Sequence, residues 1–221
     1  WTFVAHTAPP GPVTGLEVLD DVGAKTGPLA NGDTTDDTKP TFNGKAEPGA
    51  TVKVYDNGTL LGSALVDGNG DWTFTPTTPL ANGSHALTTE VVDPAGNSSG
   101  QSAPLNLIVD IIPGTLEISA LVDDQGAIKG GIALNGTTDD TRPEIQGTGK
   151  AGSTVKVYDG STLLGQTVVK ADGSWTFTPT ADLGQGAHAI TATATDLAGN
   201  TGTPTSVFGF TVDTVPPTAP S

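Results

Sequence analysis

The chain repeats itself at an offset of 103 positions. Asp36-Asp37-Thr38-Lys39-Pro40 returns as Asp139-Asp140-Thr141-Arg142-Pro143. Thr51-Val52-Lys53-Val54-Tyr55-Asp56 returns as Thr154-Val155-Lys156-Val157-Tyr158-Asp159, and Trp72-Thr73-Phe74-Thr75-Pro76 as Trp175-Thr176-Phe177-Thr178-Pro179. Asp93-Pro94-Ala95-Gly96-Asn97 returns as Asp196-Leu197-Ala198-Gly199-Asn200, and Val109-Asp110 as Val212-Asp213. The register never slips between Asp36 and Asp110. A period of this length is a whole domain, not a solenoid unit that needs neighbours to build a core. The chain must fold as two copies of one module. Its function is expected to lie in the array: how like modules are joined, and what stiffens the joint.

Each copy shows period-2 alternation and no helical period of useful length. In the first copy the expected strands are A (Leu16–Leu19), B (Thr38–Ala46), C (Thr51–Asp56), D (Leu60–Val66), E (Trp72–Thr75), F (Ser84–Val92) and G (Ala103–Val109). Val52, Val54, Trp72, Phe74, Leu87, Val91, Leu105, Leu107 and Val109 face inward. In the second copy Ile190, Ala192, Ala194, Phe208, Phe210 and Val212 keep that parity. Turn residues separate the strands: Pro48-Gly49, Asp56-Asn57-Gly58 and Asp67-Gly68-Asn69-Gly70 in the first copy, Asp159-Gly160 and Asp172-Gly173 in the second. Asn-Gly is a strong hairpin signal. Seven short strands in about 100 residues predict an all-β fold of two tandem immunoglobulin-like β-sandwich domains. An antiparallel barrel is the alternative.

The expected segments are 1–9 as the tail of a preceding module or linker, 10–110 as the first repeat and 111–114 as a short linker. The second repeat is 115–213, and 214–221 leads to the next module. Met is absent, even at position 1, so the sequence reads as an interior piece of a longer protein. Cysteine is absent too, so no disulfide supports the fold. The formal charge is −15, with 24 acidic residues against 9 basic. That field repels phosphate backbones and anionic lipid, which argues against nucleic acid and membrane surfaces as partners. No apolar run is long enough to span a bilayer.

In a sandwich of mostly alternating strands, the end of A, the A–B loop and the end of G share one pole. Asp20, Asp21, Asp36, Asp37 and Asp110 converge there in the first repeat. The F–G turn of the second repeat, with Asp196 and Asn200, lies at the facing pole across the linker Ile111-Ile112-Pro113-Gly114. Unpaired carboxylates so placed repel by about 4 kcal/mol per pair at 4 Å and an effective dielectric near 20. Clustered hard oxygen donors with no His or Cys among them suit Ca²⁺. The expectation is Ca²⁺ at the joint. Each free end carries half a joint: Asp123, Asp124, Asp139, Asp140 and Asp213 in the second repeat, Asp93 and Asn97 in the first. His6 stands where Asp110 and Asp213 would, which weakens the first half-joint. Asp and Asn are also common turn formers, and that reading stands beside the metal for each residue taken singly. Repetition of the whole set at the same poles favours the metal.

Taken together, the Asp-Asp, Thr-Asp-Asp-x-x-Pro, Val-Tyr-Asp, Trp-Thr-Phe-Thr-Pro and Asp-x-Ala-Gly-Asn motifs, with the closing Val-Asp-Thr, carry a resemblance. The chain resembles the bacterial Ig-like repeats of giant non-fimbrial adhesins and biofilm-associated proteins, over nearly all of both copies. The resemblance implies a long, type I-secreted protein at the bacterial cell surface, many such repeats, and Ca²⁺ at or near the junctions. It implies a monomeric stalk whose partners are neighbouring repeats, with a host or matrix receptor engaged by other domains.

An enzyme is not expected. There is no Cys, and no Gly-x-Ser-x-Gly elbow or phosphate loop. His85 and His188 are repeat equivalents on the inward parity of strand F and read as structural. A protein- or glycan-binding Ig-like module is the alternative function. Exposed aromatics would mark it, but Trp72 and Trp175 read as core, and Tyr55 and Tyr158 supply one outward ring per repeat.

Overall fold

The structure, a computed structural model, describes residues 7–127 and 129–218. His6 and the other residues of segments 1–6 and 219–221 lie outside the described residues. The chain divides after Ile111 into two compact units, and the described residues contain no helix.

The first unit holds β1 (Thr14–Asp20), β2 (Gly27–Pro28), β3 (Thr34–Thr35), β4 (Thr41–Lys45) and β5 (Thr51–Asp56). It continues with β6 (Thr59–Leu65), β7 (Asp71–Phe74), β8 (Gly83–Val92), β9 (Ser98–Gln101) and β10 (Leu105–Val109). The second unit holds β11 (Leu116–Asp123), β12 (Gly130–Ile132), β13 (Thr137–Thr138), β14 (Glu144–Gly149) and β15 (Thr154–Asp159). Its remaining strands are β16 (Thr162–Val168), β17 (Ser174–Phe177), β18 (Gly186–Thr195) and β19 (Phe208–Val212).

Each unit is a two-sheet sandwich. One sheet of the first unit runs β2-β1-β4-β7. The other runs β3-β10-β8-β5-β6, with β9 added to β8. The second unit repeats this as β12-β11-β14-β17 and β13-β19-β18-β15-β16. The expected strands A to G are β1, β4, β5, β6, β7, β8 and β10, and β5 has the predicted bounds. The β5–β6 hairpin pairs Asp56 with Thr59 across Asn57 and Gly58, both at positive φ (49° and 80°). Two positive φ values in succession are what a two-residue hairpin needs and what Asn-Gly supplies.

The core follows the predicted parity. Val52, Val54, Trp72, Leu87, Val91, Leu107 and Val109 are buried in the first unit, with Phe42 and Val18. Trp175, Ile190, Ala192, Ala194, Phe210 and Val212 are buried in the second, with Leu121 and Ile145. Fully burying a Val, Leu or Phe side chain contributes about 1.5–3 kcal/mol, so these two sets are what hold the sheets together.

The long A–B segment is not a plain loop, as the sequence suggested. It folds β2 antiparallel onto β1, then crosses to the other sheet, where β3 pairs parallel with β10 through Ile108–Thr34 and Val109–Thr35. The second unit repeats the crossing, with Thr137–Thr211 and Thr138–Val212. This crossing carries the acidic motif to the end of strand G.

Candidate metal centre

A single threonine organises the strand-G end of each unit. Thr35 is fully buried. Its hydroxyl donates to Asp20 Oδ2 and accepts from the Asp37 amide at 3.0 Å. Its carbonyl accepts from the Asp110 amide at 2.8 Å. One side chain thereby ties together the end of β1, the turn after β3 and the end of β10. Thr138 does the same in the second unit with Asp123, Asp140 and Asp213. Sequence reading passed over both threonines, although Thr-Thr-Asp-Asp recurs at 34–37 and 137–140. Their signal was the repetition itself, and they were masked by the acidic residues beside them.

The carboxylates are partly consumed by the turn. Asp20 is buried, and its Oδ1 accepts from the Val22 amide at 3.0 Å. Asp37 is 3% exposed, and its Oδ1 accepts from the Lys39 amide at 2.7 Å. Its other oxygen, Oδ2, is buried with no hydrogen bond of normal geometry. Burial holds the Asp37 carboxyl above its ordinary range. The Lys39 and Asp21 amides oppose this, and the neighbouring Asp20 and Asp21 charges add to it. In the second unit the equivalent oxygen, Asp140 Oδ2, does accept from the Asp124 amide, at 3.3 Å.

Asp36 and Asp139 turn into the A–B crossing. A Cβ at Gly23 would lie 2.0 Å from Asp36 Oδ2, and one at Gly126 would lie 2.0 Å from Asp139 Oδ2. Both glycines also sit at positive φ (68° and 60°). Any side chain there would be strained and would displace the carboxylate. Asp21 and Asp124 are exposed, Asp110 is half-buried and Asp213 is exposed. Asp213 Oδ1 accepts from Gln185 Nε2 at 2.8 Å and from the Val215 amide at 3.0 Å. Those two donors, the amide first, hold its carboxyl below the usual range.

The F–G ends are built differently. Asp93 Oδ1 accepts from the Ala95 and Asn97 amides, and its Oδ2 accepts from Asn97 Nδ2 at 2.8 Å. Asp196 Oδ1 accepts likewise from the amides of Ala198, Gly199 and Asn200, and Asn200 Nδ2 reaches both of its oxygens. Here the aspartate closes its own turn. In the second unit Lys150 Nζ also lies 2.8 Å from Asp196 Oδ2, and the Asp196 side chain is 1% exposed. Burial raises the Asp196 carboxyl, but Lys150 and Asn200 outweigh it and the net direction is down. The aliphatic stem of Lys150 crosses Gly114, where an added Cβ would lie 2.5 Å from Lys150 Cβ. Lys150 was invisible to the repeat comparison because Glu47 stands at its place in the first copy.

The structure thus brings Asp20, Thr35, Asp37 and Asp110 into one bonded group, with Asp21 close by, and Asp123, Thr138, Asp140 and Asp213 into its equivalent. It places Asp93 with Asn97, and Asp196 with Asn200 and Lys150, at the F–G turns. Among the described residues, no three His, Asp or Glu side chains gather as a ready-made cage for a metal ion.

The remaining polar groups are engaged structurally. Tyr55 is half-buried, and its hydroxyl donates to Glu90 Oε2 at 2.5 Å. That bond first, then burial and the Glu90 charge, pushes the phenol up to about 12. His85 and His188 each sit against an aspartate and a backbone carbonyl. Trp72 and Trp175 are core.

The bacterial Ig-like domain family matches residues 13–111 and again 116–214. No curated protein sequence matches the chain. Among solved structures, the titin I-band fragment I67–I69 is similar at 15% identity over 93% of this chain and 66% of that one, with a TM-score of 0.50. The BSP domain of a biofilm-associated protein is 25% identical over 84% of this chain and 29% of its own, with a TM-score of 0.33. A tetra-tandem repeat from the extending region of a large adhesion protein is 22% identical over 95% and 58%, with a TM-score of 0.36. A repeat that matches the same family twice, in register, over two sandwiches of the same topology leaves one conclusion: the chain belongs to the bacterial Ig-like domain family, as two tandem copies.

Proposed function

We propose that the two modules are spacer repeats of a large bacterial surface adhesin or biofilm protein, and that calcium stiffens the array at the strand-G ends. One observation carries this reading. Asp37 Oδ2 is a buried carboxylate oxygen with no hydrogen bond of normal geometry, next to the Asp20 and Asp21 charges, and burial outweighs the Lys39 and Asp21 amides that oppose it. Such a group is costly as it stands, and a divalent cation offsets the cost.

In this reading Ca²⁺ gathers hard oxygens from Asp20, Asp21, Asp36, Asp37 and Asp110, which form no ready-made cage among the described residues, and recruits backbone carbonyls to complete about 6–8 ligands. The F–G end fits less well. Asp196 already holds an ammonium, so a cation there would first displace Lys150. The reading therefore rests on the strand-G ends, with any ligand from a following module added to them. The modules themselves supply length: they carry no catalytic constellation among the described residues, and the outward Tyr55 ring is tied to Glu90. In this reading the array stands outside the cell, where calcium is abundant.

Calorimetric titration of the two-repeat chain with Ca²⁺ tests the proposal. The expected result is binding at one or more sites, with a melting temperature that rises with ion concentration. Absence of binding at millimolar Ca²⁺ would rule the ion out and leave an ion-independent spacer.

A further inference from the structure

Each histidine of strand F is held between two acceptors. His188 Nδ1 lies 2.7 Å from Asp159 Oδ2, and its Nε2 lies 2.7 Å from the Gly184 carbonyl. Neither partner can donate. A neutral imidazole carries one N–H and one lone pair, so it satisfies only one of these contacts and turns a lone pair on the other. The imidazolium satisfies both. Asp159 is fixed for this purpose: its Oδ1 accepts from the Ala189 amide at 2.8 Å. The ring is 10% exposed and lies 5.4 Å from the Phe210 ring.

The carbonyl that His188 holds belongs to the residue before Gln185. Gln185 is the clasp on the chain leaving the module. Its Oε1 accepts from the Thr214 amide and hydroxyl, both at 3.0 Å, and its Nε2 donates to Asp213. The first unit repeats the series. His85 sits between Asp56 Oδ2 and the Ala81 carbonyl, and the next residue, Asn82, accepts from the Ile111 amide at 3.0 Å. Ile111 and Thr214 are equivalent positions, each the second residue after strand G.

We infer that the His188 imidazole is a protonation-dependent latch: charged, it holds the loop between β17 and β18 so that Gln185 clasps the chain leaving the module, and neutral, it lets that loop go. In this reading the exit of the polypeptide from the sandwich responds to a proton on the ring.

The surrounding charges agree. Among the described residues, the charged groups lining the cavity beside the ring are Asp159 from β15 and Asp182 from the loop, and β19, which has no charged residue, sets Phe210 against the ring. Asp182 is itself paired with Arg142 at 3.1 Å. Burial opposes the charged ring, but Asp159 and the Gly184 carbonyl outweigh it and raise the ring above its ordinary 6.5. A raised folded value means that the latch stabilises fully below the unfolded value of 6.5. Its contribution disappears as pH rises through the folded value.

The test is an NMR titration of the two-repeat chain in chelator. It follows the His188 ring protons together with the exchange protection of the Thr214 amide, corrected for intrinsic exchange. Protection is expected to fall about tenfold as the ring deprotonates, the scale of one hydrogen bond to a charged donor. Asp159→Asn supplies the decisive control. An Asn there accepts from Ala189 and donates to a neutral ring Nδ1, so the loop stays tied and Thr214 protection becomes flat between about pH 6 and 9. Gln185→Ala removes the protection at every pH. Constant Thr214 protection through the ring's transition in the parent chain would overturn the latch, as would a pH dependence that survives Asp159→Asn. Retained protection in Gln185→Ala would overturn the clasp.

Discussion

Asp37 and Asp140 occupy one position of the repeat and differ by one contact. Asp140 Oδ2 accepts from the Asp124 amide at 3.3 Å, whereas at Asp37 Oδ2 no hydrogen bond has normal geometry, although the Asp21 amide still opposes the raised carboxyl. A carboxyl raised by burial binds its proton more readily folded than unfolded, so its charge at neutral pH works against the fold, and acid relieves it. Asp37→Asn keeps an acceptor for the Lys39 amide and removes the buried charge beside Asp20 and Asp21. In chelator this variant should be more stable than the parent by about 1 kcal/mol, read by urea unfolding, and should lose most of the calcium-dependent rise in melting temperature. A variant that is destabilised in chelator would show that the Asp37 charge is already compensated. Thr35 poses the opposite case. Thr35→Val keeps the shape but removes a donor to a buried carboxylate and an acceptor for a buried amide, at a cost of about 2 kcal/mol. The same unfolding experiment checks it, with Thr138→Val expected to match.

Among elements, the seven main strands were legible because a half-buried strand writes its two faces into alternate residues and Asn-Gly marks its turn. The crossing segments β2, β3, β12 and β13 were not. They are two or three residues long, too short for any period, and they exist because β1 and β10, or β11 and β19, offer free edges. The same limit applies to the candidate site. Repetition singled out the aspartates as a set. It could not say which oxygens the local turns already use, because that depends on backbone amides whose direction is fixed only by the crossing. Lys150 shows the cost of relying on repetition, since the ion pair it forms with Asp196 has no counterpart at Glu47. Lys150→Met should destabilise the second unit by about 1–2 kcal/mol, less than a fully buried pair because Lys150 is 40% exposed and Asn200 remains. The sign with pH follows from the lowered carboxyl: the pair stabilises above the ordinary 3.8 and is lost as pH falls through the folded value. Lys150→Met should therefore flatten the acid limb of a stability profile while lowering its neutral plateau. An unchanged acid limb would place the acid sensitivity elsewhere.

For the whole molecule, two like modules joined through a few residues make the joint the variable of interest. Small-angle scattering with and without chelator reads it directly. The maximum dimension or its spread is expected to change with Ca²⁺, and identical curves in a chain that binds the ion would show that stiffening is not what the ion does. The sandwich adds a property of its own. Tension on a module enters at the start of β1 and leaves at the end of β10, and each strand lies alongside its partner rather than across it. Pulling therefore loads the ladder bonds of β1–β4 and β10–β8 together, with the parallel β3–β10 bonds beside them, instead of opening them one at a time from an end. A single-molecule stretching experiment should show each module yielding in one abrupt step, as a fastener torn sideways resists more than one peeled from its corner.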